Sequence, residues 1–241
     1  MKKIVYQNYE EMSRAGALIF AELIRDKPDC VLGFATGGTP VGLYDGLAAL
    51  YGDGKLDFSR VSTFNLDEYY PLARNHPQSY HAFMWEHLFS RVNVDPARVH
   101  LPDGSAAGPQ AACEEYERDL AAAGGIDLQL LGIGHNGHIA FNEPATELPV
   151  QTSLVTLTER TIEANARFFA SREEVPRQAL SMGIGSIMSA RRLLMLISGK
   201  DKAPAVKQLF SGVITTRFPA SLLALHPDVL VLVDEQAAGG Q

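Results

Sequence analysis

With 241 residues, the chain is long enough for one large α/β domain, and two small domains are a weaker alternative. Hydrophobic residues at 46% and charged residues at 20% supply a core and argue against a disordered chain. A formal net charge of −7 argues against a nucleic-acid binder, yet leaves room for an anionic small molecule held in a local pocket.

In chain order, short apolar runs alternate with helical patterns. The start, Met1-Lys2-Lys3, resembles a basic leader, but polar Gln7-Asn8 follows where an apolar stretch would be needed. No run approaches the ~18 apolar residues of a membrane span. The expectation is a cytoplasmic protein with no membrane contact. Cys30 and Cys113, the only cysteines, have no Cys-x-x-Cys spacing; they fit a reduced setting and make no zinc site.

The patterns predict strands over 3–6, 30–35, 61–65, 128–132, 154–157, 193–198 and 229–233. Predicted helices cover 9–26, 41–50, 79–88, 109–123, 175–181, 185–189 and 203–210. Strands alternating with helices predict an α/β fold with a mostly parallel sheet covered on both faces. Ligands of such sheets lie beyond the carboxyl ends of the strands, so the loops there are the places to look.

Four of these loops hold residues suited to chemistry. Thr36-Gly37-Gly38-Thr39-Pro40 leads from a strand into a helix. Thr39 is expected to cap that helix, with Pro40 in its first turn, and the two glycines let an anion approach the helix amides. No Gly-Lys-Ser/Thr follows, which excludes a nucleotide triphosphatase loop. Next, Asp67-Glu68 lies just past the strand 61–65: either a general base, or Asp67 as a helix cap with Glu68 as a solvated charge.

The third loop, Gly132-Ile133-Gly134-His135-Asn136-Gly137-His138, continues to Glu143-Pro144. Its glycine spacing matches a dinucleotide fingerprint, but proline interrupts the helix that motif should open, and His138 and Glu143 would crowd a pyrophosphate. Histidine beside a carboxylate instead fits proton transfer near neutral pH. His135 and His138 lack a third ligand, so no metal is expected. Fourth, Lys202 stands at a helix start, where the helix dipole disfavours a cation unless an anion is met there. Arg167 is a second candidate cation, although on its own it fits a surface salt bridge.

Taken in order, these segments resemble glucosamine-6-phosphate deaminases. The resemblance runs through Leu32-Gly33-x-x-Thr36-Gly37-Gly38-Thr39-Pro40, Thr63-Phe64-Asn65-Leu66-Asp67-Glu68-Tyr69, His76-Pro77-Gln78-Ser79-Tyr80, the Gly134–Pro144 loop and Leu225-His226-Pro227. It implies a Rossmann-like three-layer α/β sandwich over 1–241, with a lid around 145–171 and no cofactor. The implied reaction turns glucosamine 6-phosphate and water into fructose 6-phosphate and ammonia. By the same resemblance Asp67 is the base at C2 and C1, and His138, assisted by Glu143 and Asn136, opens the sugar ring. Thr36, Gly37, Gly38, Thr39, Arg167 and Lys202 would hold the phosphate.

One departure concerns Asn136, where many members carry Asp. Asn supplies no charge to a protonated His138, so it is expected to orient by hydrogen bonding, with Glu143 as the charged partner. Ser153 and Val155 stand where an allosteric N-acetylglucosamine 6-phosphate site would need cations. The resemblance is therefore to the short, non-allosteric type, expected to be a monomer. Two alternatives are a 6-phosphogluconolactonase, which shares a similar glycine–histidine loop, and a sugar-phosphate sensor. Ile139-Ala140-Phe141-Asn142-Glu143-Pro144 favours the deaminase over the first, and Asp67 with His138 and Glu143 favours it over the second.

Overall fold

The structure, a computed structural model, describes residues 1–240. The first half of the chain gives β1 (Lys2–Tyr6), α1 (Tyr9–Asp26), β2 (Val31–Phe34), α2 (Val41–Gly52), β3 (Ser62–Asn65) and β4 (Asp67–Tyr70). Then follow α3 (Tyr80–His87), β5 (Val99–His100), α4 (Pro109–Ala122), β6 (Leu128–Leu131), β7 (Ser153–Thr156) and α5 (Glu159–Ala166). The last part holds β8 (Gln178–Ser181), α6 (Ile184–Met188), β9 (Arg192–Ile197), α7 (Ala203–Leu209) and β10 (Val229–Asp234).

Seven strands make one sheet in the order β1-β10-β9-β6-β2-β3-β5, and every neighbouring pair is parallel. All four residues of β2 and of β6 are buried, as expected for central strands covered on both faces. From β2 the chain moves outward to β3 and β5, and after β6 it moves the other way, to β9 and β10. The carboxyl ends of β2 and β6 thus flank a point where the strand order reverses, and the departing loops leave a crevice.

Helix packing brings the first of those loops into place. Asn8 caps α1 by accepting the Glu11 amide at 2.9 Å, and Met12, Gly16, Phe20 and Ile24 bury one face of the helix. The helix lies so close to α2 that a Cβ on Gly42 or Gly46 would come within 2.7 Å of Ser13 or Ala17. At this crossing the Tyr9 hydroxyl accepts the Gly42 amide at 2.8 Å and shares its proton between the carbonyls of Gly38 and Thr39, at 3.2 and 3.1 Å. The expected Thr39 cap on α2 is not formed: Pro40 holds the capping position without a side-chain hydrogen bond, and Tyr9 serves the amide instead.

A second sheet, β4-β8-β7, is antiparallel; the strand predicted over 154–157 is its β7, while β4 and β8 were not legible in the sequence. The helix expected over 175–181 is instead β8 over its last four residues. Ala179 and Leu180 are fully buried there, and the pairing to strands on both sides overrides a local helical preference. Only Leu66 separates β3 from β4; its amide donates to Phe34 of the large sheet at 3.1 Å and its carbonyl accepts from Met182 at 2.7 Å. Asp67 therefore starts where the chain crosses from one sheet to the other. No helix of the described residues is long and apolar enough to cross a membrane.

At the opposite end of the large sheet, buried Asp127 accepts the Val31 amide at 2.8 Å and pairs with Lys27 and Arg191 at 2.8 and 2.9 Å. Both cations are partly exposed, so removing the carboxylate chiefly strands the buried amide of β2. Asp127→Ala is expected to cost about 2 kcal/mol of stability, read as a lower urea midpoint at an unchanged slope. A midpoint equal to the parent's would remove this pin from the account.

Candidate active site

The crevice holds a cavity of about 330 Å³. Its walls bring together the 36–40 loop, Asp67, Tyr80, the loop after β6, Glu143, one face of α5 and Lys202. That volume lies within the range of small-molecule sites.

One corner suits an anion. Gly37 adopts a φ of +101°, the left-handed region open to glycine, and a Cβ on Gly37 or Gly38 would meet nothing within 4 Å. The absent side chains leave room for a ligand. Opposite, the ammonium of Lys202 donates to the Ile133 carbonyl at 3.1 Å and lies 3.5 Å from His135 Nδ1. Burial pulls the Lys202 pKa down; Asp201 opposes this and Arg160 adds to it. His135 is held in turn by Asp201, with Nε2 2.5 Å from Oδ2.

Arg167 is not in this corner. It follows α5 with its guanidinium 4.6 Å from the Phe168 ring, an exposed cation–π contact, and does not line the cavity. Arg160, two turns earlier on α5, does line it.

The loop after β6 builds the second cluster. Gly134 is fixed by its neighbour: a Cβ there would fall 2.2–2.4 Å from the His138 imidazole. Ala140 takes φ +51°, a left-handed conformation costly for a residue with a Cβ, inside a tight turn. The Asn142 amide closes that turn on the Ile139 carbonyl at 3.0 Å, while Asn142 Nδ2 bonds Ile139 and Met182 at 3.0 and 2.8 Å. The turn sends Glu143 back towards His138.

Asn136 bridges the two. Its Nδ2 donates to Glu143 Oε2 at 2.7 Å, and its Oδ1 lies 2.8 Å from His138 Nδ1, closer than Glu143 Oε1 at 3.4 Å. Because an amide oxygen only accepts, His138 Nδ1 carries the hydrogen and Nε2 is left as the basic nitrogen. Burial alone would raise the Glu143 pKa. His138, by hydrogen bond and charge, then the Thr161 hydroxyl (Oγ1–Oε1 2.7 Å) and Asn136 outweigh it and bring the pKa down to about 2.

Asp67 behaves oppositely. It is 6% exposed, and burial followed by the charge of Glu68 pushes its pKa up to about 8. It opens a strand paired with β8, which rules out the helix-cap reading, and Glu68 is buried, not solvated. Sequence reasoning missed Tyr80, Arg160 and Thr161; a helix over 159–166 would have pointed to the last two. Among the described residues, no group of three or more His, Cys, Asp or Glu is arranged to hold a metal. No helix follows β6 before α5, contrary to a dinucleotide fingerprint.

The profile of the family described as glucosamine-6-phosphate isomerases/6-phosphogluconolactonase matches residues 8–231. The chain is 53% identical to a glucosamine-6-phosphate deaminase of Halothermothrix orenii, over 99% of each chain. It is also 53% identical to one of Thermoanaerobacter pseudethanolicus, over 99% of this chain and 94% of the relative. A solved structure of a monomeric glucosamine-6-phosphate deaminase superposes with a TM-score of 0.97 at 48% identity, covering 100% of both chains. A 6-phosphogluconolactonase of Trypanosoma brucei shares the fold, with a TM-score of 0.77 at 21% identity and coverage of 99% of this chain and 97% of that one.

Gly134→Ala tests the packing under His138. The methyl group is expected to push the imidazole aside and to cost on the order of 100-fold in any turnover that passes through it, without lowering Tm greatly. The ring nitrogen resonances of His138 would report the displacement; unchanged resonances would count against it.

Proposed function

The chain belongs to the glucosamine-6-phosphate isomerase/6-phosphogluconolactonase family and deaminates glucosamine 6-phosphate, and from that premise we propose which of its residues carry the reaction. The overall change takes glucosamine 6-phosphate and water to fructose 6-phosphate and ammonia. The observation that carries the assignment is a single cavity lined by one carboxylate of raised pKa, Asp67, and one strongly acidic carboxylate linked to a histidine, Glu143 with His138.

The phosphate sits against the amides of Thr36, Gly37, Gly38 and Thr39 with the ammonium of Lys202, and Arg160 adds charge at the same corner. Arg167 joins it when the segment 145–171, taken as a lid, moves its end of α5 over the sugar. Anchored there, the sugar presents its anomeric carbon to His138. Nε2 takes the proton of the anomeric hydroxyl and returns one to the ring oxygen, breaking the bond from C1 to that oxygen and leaving an aldehyde. While the imidazole is protonated, Glu143 supplies the balancing charge and Asn136 keeps the ring oriented.

Asp67, ionised, removes the proton at C2 to give an enolamine and delivers a proton to C1. Water then adds to the resulting C2 imine, and the C–N bond breaks to release ammonia. Glu143 is ionised throughout the working pH range, so Asp67 is the group whose titration sets the rate. A base must be deprotonated, and burial has raised its pKa, so kcat/KM is expected to fall as pH drops through about 8. Asp67→Asn is expected to lose about 10³-fold or more of ammonia release while retaining substrate binding. Full activity in that variant would remove Asp67 from the base role.

We further read the protein as a monomer without an allosteric site for N-acetylglucosamine 6-phosphate. The positions where such a site would need cations, Ser153 and Val155, lie on β7, paired with Ser181 and Ala179 of β8. Adding that sugar phosphate is expected to leave the substrate half-saturation point unchanged. A substantial fall in steady-state assays would refute it.

A further inference from the structure

One buried carboxylate beside the pocket, Glu68, does not line the substrate cavity. Alternation along β4 turns Asp67 into the substrate cavity and Glu68 to the other side, where Glu68 is 3% exposed. Glu68 Oε1 accepts the backbone N–H groups of Tyr69 and Tyr80, each at 2.9 Å, and Oε2 accepts that of His81 at 2.9 Å. Tyr80 and His81 are the first residues of α3, so the carboxylate lies on a helix N-terminus, where free amides and the helix dipole favour an anion. Gly104 makes the space for it: a Cβ there would come within 2.9 Å of Glu68 Cγ and 2.2 Å of the Tyr69 carbonyl. A smaller cavity of about 190 Å³ opens on this side, lined also by Arg74, His81, His100 and Asp103.

We propose that Glu68 is a positioning residue for the deamination, which fixes a negative charge behind Asp67 and ties Tyr80, a wall of the substrate cavity, to the strand that carries the base. The inference rests on the reading of Asp67 as that base. Three amide donors on two oxygens suit the ionised, acceptor-only carboxylate. Burial raises the Glu68 pKa, and the amides of Tyr80, His81 and Tyr69, followed by Arg74, work against that rise. The other titratable groups around Glu68 are His81 on α3, His100 on β5 and Asp103 on its own face, with Asp67 and Tyr69 of β4 and Tyr80 of α3 on the far side of the strand. Only Arg74 among them is a permanent cation, and it is exposed. The charge of Glu68 therefore remains felt by its neighbour on the strand. Tyr80 in turn stacks on Phe141, with ring centroids 6.2 Å apart, so the tether reaches the far side of the pocket.

The test is Glu68→Gln, which keeps the size and removes the charge. The Asp67 carboxyl is followed by carbon NMR in full-length protein labelled at aspartate, its signal identified by its loss in Asp67→Asn. The midpoint of Asp67 is expected to fall by about one pH unit, and the acid limb of kcat/KM to move down with it. The high-pH plateau of kcat should fall several-fold, because a less basic carboxylate is a poorer base. Arg74→Gln, a surface change that leaves the buried bonds intact, should move the midpoint upward by a smaller amount. An Asp67 midpoint unmoved by both variants overturns the proposal. A midpoint that moves while the rate limb stays put leaves the action of Glu68 standing and removes Asp67 as the base.

Discussion

The pocket depends on the side-by-side placement of β2 and β6, two parallel strands whose chains leave in opposite directions. Hydrogen bonding fixes their separation, and the departing loops cannot fill the space between them. Each loop then needs glycine for a different reason. Gly37 and Gly38 keep the anion corner empty, whereas Gly134 yields its side-chain volume to an imidazole. The close α1–α2 crossing belongs to the same construction, because it lets Tyr9 hold the 36–40 loop by both carbonyls and an amide. A slip of the helices would move the phosphate corner relative to His138.

Within that frame the two carboxylates of the pocket, Asp67 and Glu143, are driven apart in acidity by their surroundings. Asp67 lies at a sheet-to-sheet crossing with a second carboxylate behind it, so its neutral form is favoured. Glu143 is also partly buried, yet it faces an imidazole, a hydroxyl and a carboxamide, and its charged form prevails. Separate acidities let one group titrate in the working range while the other holds a constant charge. Asn136 adds no charge of its own and still decides the tautomer of His138, because its amide nitrogen is committed to Glu143 and only its oxygen is free for the ring.

The inner strands of the large sheet were legible because they are buried on both faces and so read as unbroken apolar runs, as in Leu193-Leu194-Met195-Leu196-Ile197, whereas the two-residue edge strand β5 was missed. The small sheet was legible only at β7. Asp67-Glu68-Tyr69-Tyr70 carries two charges in four residues, and nothing local says that both will be buried and that β8 will pair beside them. The loop after β6 gave up its functional residues readily, since histidine, amide and carboxylate are rarely crowded together without a reason. Thr161 was hidden: a threonine after Thr158-Glu159-Arg160 reads as ordinary helix-start chemistry, and its bond to Glu143 spans 18 positions. Arg167 shows the reverse case, a side chain marked by the sequence that rests outside the pocket on its neighbouring ring.

The small sheet also limits what the 145–171 segment can do. Its beginning is pinned: the Pro149 and Val150 carbonyls accept the Ile184 and Ser186 amides at 2.9 and 3.0 Å, and Glu117 takes the amide and hydroxyl of Thr152 at 2.7 and 2.6 Å. β7 is then held along its length by β8, which also pairs with the strand of Asp67. A displacement of this part would disturb Asp67 itself. Beyond Thr156 the ties are fewer and mostly exposed, among them the ion pairs of Arg172 with Glu159 and Glu163. The lid motion we propose is therefore confined to α5 and residues 167–171, where Arg160 and Thr161 line the pocket and Arg167 does not. A movement confined there changes the anion-suited corner and one bond to Glu143 and leaves Asp67 where its strand holds it. The closure and the base role we propose thus fall at opposite edges of one antiparallel sheet, β7 and β4.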